Sequence, residues 1–227
     1  MNVNLIHEIA SSIIMSIPKL SSDYSRILER LAKTKTFAIS SNFYISLVAA
    51  EDHRYWQHCG IDVISIIRAL YRTVLCRKIE GASTIEQQLI RTLTFRYEIS
   101  IQRKLREVLL ALAVGKLFKK EQIILFYLLL GNYGWKMNGL VDACNELHVC
   151  IETASLVDAA NVVARLKRPE PSVFSQSHTK AVAIRSIYIL GRVDKHYQPI
   201  WRSPYIAQPR VHHYPTPFPH PPATVLR

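Results

Sequence analysis

The sequence predicts a mainly α domain. Apolar residues recur at helical rather than alternating spacing, helix-starting patterns precede several of those runs, and few strand-like alternations compete with them.

Leu5, Ile9, Ile13 and Ile17 recur every fourth residue and predict an amphipathic first helix ended by Pro18. A second helix is expected over Tyr24–Lys33. Ile61 to Cys76 is apolar, with Arg68 and Arg72 four apart, so a helix there sets a cationic stripe beside a greasy face. Both a helix lying on anionic lipid and a core-facing helix with a solvated edge satisfy that pattern. Gly81 precedes a capping box, Ser83 with Glu86 or Thr84 with Gln87, that starts the next helix. Amide groups at such an end also suit a phosphate. From Ser100 to Lys120, Leu105, Leu109, Leu112 and Leu117 fall at spacings of four, three and five, consistent with a buried helix. Gln122–Leu130 and Ser155–Leu166 read as two more. Eight of the eleven prolines lie at or beyond Pro199. The organisation expected is an N-terminal helical segment (1–36), a catalytic domain (37–196) and a proline-rich disordered tail (197–227).

A chain of 227 residues suits one domain of this kind with tails. Although 49% of it is hydrophobic and the mean hydropathy is +0.07, no apolar run reaches the roughly 18 residues of a spanning helix. The longest uncharged N-terminal stretch, Ile9 to Pro18, lies between Glu8 and Lys19 and lacks the cationic start and cleavage site of a secretory signal. Twenty-nine Lys and Arg against seventeen Asp and Glu give a net charge of +12. That balance implies a polyanionic partner: nucleic acid, an anionic membrane face or a phosphorylated substrate. No zinc-finger spacing, RNP pattern or basic-region heptad speaks for nucleic acid. Cys59, Cys76, Cys144 and Cys150 are read as buried structural cysteines. Cys144 and Cys150 around His148 make only a weak zinc pattern.

Three blocks carry chemistry. The first, Glu51 to Asp62, holds Glu51, Asp52, His58 and Gly60; the second is Gly81-Ala-Ser83-Thr84-Ile-Glu-Gln87-Gln88; the third is Arg103-Lys104-Leu-Arg-Glu107. Glu107 lies four residues after Arg103 and three after Lys104, so on a helix the three share a face. Each block alone has an ordinary reading: a polar loop, a helix start, a surface salt bridge of a few tenths of a kcal/mol.

Their order is what resembles a family. Written E-D-x-x-[aromatic]-x-x-H-x-G, G-A-S-T-I-x-Q-Q and R-K-x-x-E, they are similar to the first three motifs of the peptidoglycan glycosyltransferases, found in monofunctional enzymes and class A penicillin-binding proteins. A fourth motif is partial: Lys120, Ile123, Tyr127 and Leu128 match, while Leu125 and Leu129 stand where the family usually has Glu and Asn. A fifth is recognisable in Ser155–Leu166 with Asp158 for Glu, and Thr92 stands at a common Asn position. With no transpeptidase domain in the sequence, the chain resembles the monofunctional type.

The resemblance implies a lysozyme-like helical fold with a head lobe and a small membrane-facing hydrophobic lobe, the latter over Ile61–Cys76. It implies polymerisation of lipid II into glycan strands by inverting sugar transfer, with release of undecaprenyl pyrophosphate, at the outer, periplasmic face of the bacterial cytoplasmic membrane. Partners would be lipid II, the growing strand, the anionic membrane surface and other cell-wall synthesis proteins, and not nucleic acid. Glu51 is then the general base that takes a proton from the attacking sugar hydroxyl. Glu107 is the second catalytic carboxylate, able to hold a Mg or Mn ion or to fix Arg103 and Lys104. Arg91, Arg103, Lys104 and Lys120 are candidates to stabilise the diphosphate. Ser83, Thr84, Gln87 and Gln88 would add neutral hydrogen bonds to substrate, with Asp52 and His58 beside them, His58 as a hydrogen-bonder rather than a proton shuttle. The rivals are a lysozyme-like muramidase, which has little use for so many cations, a degenerate domain that binds lipid-linked substrate without turnover, and a basic nucleic-acid-binding protein.

Overall fold

The computed structural model describes residues 3–75 and 81–201; Cys76 and segment 202–227 lie outside the described residues. The mainly α architecture is as expected. The helices are α1 (Val3–Ser16), α2 (Pro18–Lys33), α3 (Ser41–Glu51), α4 (Val63–Leu75), α5 (Ile85–Thr94), α6 (Ile101–Leu117), α7 (Lys120–Leu130), α8 (Leu140–Glu146), α9 (Leu156–Lys167) and α10 (Gln176–Trp201). A 3-10 turn covers Tyr55–Gln57, and a short antiparallel hairpin pairs β1 (Asn132–Gly134) with β2 (Met137–Asn138). α10 runs past residue 196, so its last turn occupies the start of the proline-rich stretch.

Local chemistry sets the boundaries. Pro18 stands at the first position of α2, where its missing N–H costs nothing and its fixed φ suits the helix. α2 therefore begins six residues before the expected Tyr24. Ser40, Thr84, Ser100 and Ser155 each cap the helix that follows by accepting a backbone N–H. Asp158 completes a reciprocal capping box with Ser155. At α5 Thr84, not Ser83, is the cap.

One expected stripe points the wrong way and another does so in part. Leu5, Ile9 and Ile13 of α1, with Ile17 just beyond it, face outward, while His7, Ala10 and Ile14 pack inward. The helix is apolar on both sides, and His7 Nδ1 bonds to the Leu112 carbonyl of α6 at 2.8 Å. In α6, Leu105 and Leu117 are exposed, Leu112 is buried and Leu109 packs on the core; the buried face also holds Glu107, Leu110, Ala111 and Val114. Spacing reported amphipathicity there but not its direction, because the polar Glu107 belongs inside. Among the cysteines Cys144 is buried, with burial pushing its thiol up to about 11, but Cys150 is exposed.

The core is built around α3, which packs on α7, α9 and α10, while α5 joins α6 and α7. α1 covers α6 and α2 covers α5. Arg106 of α6 reaches the buried Asp23 of α2 at 2.7 Å, locking that cover. The hairpin seats the link between α9 and α10: Trp135 N–H donates to the Glu170 carbonyl and Glu170 N–H to the Tyr133 carbonyl, both at 2.8 Å. Gly134, at φ +124°, lets the two backbones meet; a Cβ there would stand 2.0 Å from Glu170 N.

α4 sorts its side chains. Val63, Ile64, Ile67, Tyr71 and Leu75 are exposed, and Arg68 and Arg72 turn to a cleft. A second exposed apolar group, Phe95, Tyr97, Ile99 and Ile101, follows α5. Among the described residues no helix is long and apolar enough to cross a membrane.

Candidate active site

Glu51 ends α3 beside a cleft of about 880 Å³ bordered by α3, α4, α5, α9 and α10. It is the only carboxylate among the described lining residues, which include Arg68, Arg72, Arg91, Lys167, Arg185, Arg192 and Lys195. Its side chain is 9% exposed, and both oxygens are held: Arg185 Nη2 reaches Oε1 at 2.9 Å and Gln88 Nε2 reaches Oε2 at 3.0 Å. Gln88 is oriented in turn by the Tyr127 hydroxyl, which donates to its Oε1 at 2.8 Å. Burial pushes the Tyr127 hydroxyl far above the usual phenol value, so it remains a donor. A buried relay from α7 through α5 thus aims the end of α3.

Glu107 is 2% exposed and does not face open cleft. Arg91 grips it two-handed, Nε to Oε1 at 2.9 Å and Nη2 to Oε2 at 3.1 Å; Arg103 also bonds Oε1, and Lys104 Nζ lies 3.9 Å from Oε2. Hydrogen bonding to Glu107 raises the Arg91 pKa. A divalent ion at Glu107 would find both oxygens claimed and three cations within 4.0 Å, so these residues do not fit a Mg or Mn site. Lys104 points on to Ser83 Oγ (3.0 Å) and to Gln87 Oε1, and burial holds its pKa below the usual lysine value.

Asp52, Thr84 and Gln87 are buried behind the cleft. Asp52 Oδ2 accepts from His58 Nε2 at 2.9 Å and from the Ile85 N–H at 3.4 Å. The Gly60 N–H donates to His58 Nδ1, which makes Nε2 the protonated nitrogen. Thr84 Oγ1 donates to the Gly60 carbonyl at 2.8 Å. Two N-terminal amides of α5, those of Ile85 and Gln87, therefore already serve an internal carboxylate and the Thr84 cap. Lys120 is likewise turned away from the cleft: it ion-pairs with the buried Glu86 and lies 4.0 Å over the Tyr55 ring.

Asp52, His58 and Glu86 bring ligand atoms within 4.8 Å of one another. The His58 proton and the Lys120 ammonium already serve that group.

Of the expected site residues, the structure gathers Glu51, Ser83, Gln88 and Arg91 at the cleft. Glu107, Arg103 and Lys104 stand behind Arg91 and Ser83; Asp52, His58, Thr84, Gln87 and Lys120 form the support. Sequence reasoning missed Arg185, Tyr188, Arg192 and Lys195. They fall at spacings of three, four and three on α10, one helical face, a signal present in the sequence but outside every motif.

A lysozyme-like helical scaffold holding one carboxylate in a cation-lined cleft is the frame of a sugar-transferring enzyme. The family described as Transglycosylase matches residues 22–194, and the chain belongs to that family of peptidoglycan glycosyltransferases. Relatives include penicillin-binding protein 1A of Rickettsia felis, 29% identical over 180 residues, covering 77% of this chain and 22% of the relative. Penicillin-binding protein 1A of Aquifex aeolicus is 34% identical over 151 residues, 59% of this chain and 20% of its own. Penicillin-binding protein 1F of Bacillus subtilis is 30% identical over 131 residues, 57% and 18%. The chain thus spans about a fifth of the length of these curated relatives.

Proposed function

We propose that this domain polymerises lipid II into glycan strands, with Glu51 as general base. The 4-hydroxyl of one lipid-linked sugar attacks the anomeric carbon of another. Glu51 takes the hydroxyl proton as the new C–O bond forms, and the bond to undecaprenyl pyrophosphate breaks with inversion. A sugar hydroxyl is a poor nucleophile, so a carboxylate in reach is the first requirement. The second is positive charge at the departing diphosphate. One charge pair at about 4 Å contributes on the order of 4 kcal/mol at an effective dielectric near 20.

The observation that carries this reading is a single acid, Glu51, among described cleft-lining residues that include seven lysines and arginines. Arg91 and Ser83 stand at the α5 side, held by Glu107 and Lys104 from behind. Glu107 becomes the anchor of the cation cluster rather than a second acid–base group or a metal ligand. The exposed apolar face of α4 would rest on the anionic outer leaflet of the cytoplasmic membrane, placing Arg68 and Arg72 at headgroup depth. Other cell-wall synthesis proteins remain partners by family resemblance alone. The division into an N-terminal helical segment (1–36), a transferase domain (37–196) and a proline-rich tail (197–227) belongs to the same proposal.

Glu51→Gln, nearly isosteric, is expected to abolish polymerisation of labelled lipid-linked precursor on gels while keeping the helical circular dichroism. Polymerisation at the wild-type rate would overturn the base assignment. A second reading, binding without turnover, is favoured by the occupation of Glu51 by Arg185 and Gln88 and of Lys120 by Glu86. Wild-type protein that retains precursor without polymerising it would select that reading. Shortening of uncrosslinked glycan without precursor would select a muramidase.

A further inference from the structure

Arg185 donates through Nη2 to two acceptors of α3, Glu51 Oε1 at 2.9 Å and the Ala50 carbonyl at 2.7 Å. Its guanidinium also lies 4.8 Å from the Tyr188 ring centroid, and Arg192 approaches the same ring at 5.7 Å. Two guanidiniums thus flank one aromatic ring along the cleft face of α10. Neither is saturated. The Nε–H groups of Arg185 and Arg192 are buried and have no hydrogen-bond partner, a costly condition for a donor unless a ligand supplies the acceptor. The planar, forked donor set of arginine matches phosphate oxygens, and Lys195 extends the same face toward the cleft mouth.

We propose that the Arg185–Tyr188–Arg192 face of α10 is a diphosphate-binding site coupled to Glu51. In the empty cleft the Glu51 carboxylate occupies Arg185 in the diphosphate's place. An arriving substrate diphosphate takes the guanidinium, and that exchange leaves Glu51 held by Gln88 alone and available to accept the sugar proton. The inference rests on the reading of Glu51 as base. Competition for one guanidinium has a thermodynamic signature independent of catalysis, because the fraction of Arg185 not engaged by Glu51 scales the apparent affinity for diphosphate.

The test is a double-mutant cycle on the full chain, with inorganic pyrophosphate binding measured by calorimetry. Glu51→Gln removes the competing charge and should tighten pyrophosphate at least about fivefold, the lower end of ordinary site-to-site coupling. Arg185→Gln should weaken it, and the double variant should bind no tighter than Arg185→Gln alone. Arg185→Lys retains the charge without the fork and should restore part of the affinity, a rescue that a purely structural role for Arg185 would not give. The proposal is overturned if Glu51→Gln leaves the affinity unchanged. It is equally overturned if the tightening persists in the Arg185→Gln background, since the effect is then only a change of cleft charge. Loss of the fold in Arg185→Gln but not Arg185→Lys leaves the cycle to be closed with lysine: equal pyrophosphate affinity of Arg185→Lys and Glu51→Gln/Arg185→Lys would then overturn it. Polymerisation by Glu51→Gln with an intact cycle sinks the base assignment and leaves the exchange standing; a dead Glu51→Gln without the cycle does the reverse.

Discussion

Glu107 gathers two guanidiniums and an ammonium around one buried carboxylate, and Arg91 and Lys104 go on to Ser83 at the cleft. Neutralising it leaves three positive charges facing one another in a poorly solvated place. Glu107→Gln should therefore cost about 3 kcal/mol of stability, the lower end for breaking a buried ion pair. The midpoint of urea unfolding measures it; an unchanged midpoint would mean that the cations relax into solvent. The spacing of Arg103, Lys104 and Glu107 was legible as one face of a helix, but Arg91, the two-handed partner, comes from α5. Pairing between helices is decided by packing, so no local spacing announces it. The same holds more strongly for Glu51 and Arg185, 134 residues apart.

α4 is secured at its start by Asp62. The carboxylate accepts the Ser65 N–H at 3.1 Å and the Ser65 hydroxyl, and Arg54 Nε lies 3.0 Å away. Burial opposes ionisation, yet the Ser65 hydrogen bonds and Arg54 hold the Asp62 carboxyl below the usual aspartate range. A carboxyl of lower proton affinity when folded adds stability that is present above its unfolded value, about 3.9, and lost as pH falls through the folded one. Asp62→Asn keeps a capping oxygen but loses the charge, so it should be less stable than wild type at neutral pH by about 1 kcal/mol, the difference between a charged and a neutral hydrogen bond. The gap should close as pH falls past the unfolded value and through the lowered folded one. Thermal unfolding across that range tests it, and a gap that widens on acidification would contradict it. The existence of α4, α7 and α9 was legible from apolar runs and start signals. The inward face of α1 and the Glu107 side of α6 were not, because His7 and Glu107 are polar residues that the core accepts through specific partners.

The cationic cleft and the apolar outer faces lie on one molecule of net charge +12, which suits an anionic lipid surface. Composition announced the sign of the partner, and the fold shows where the charge is concentrated: Arg68 and Arg72 face the cleft while Ile64 and Ile67 project from the same helix. Ile64→Ser with Ile67→Ser should lower partition onto anionic vesicles by at least about tenfold, from the loss of two exposed branched side chains. Unfolding should be little changed, since both residues are exposed. Equal sedimentation of the variant and wild type with such vesicles would rule out this face as the point of contact.

The hydrogen of Gly134 occupies the only space left between the hairpin and Glu170. Any larger atom at this position wedges the connector outward, and α9 and α10 hang from that connector on either side. A side chain here would press on the stretch of chain that joins two helices packed against α3, well away in sequence from either Glu51 or Arg185.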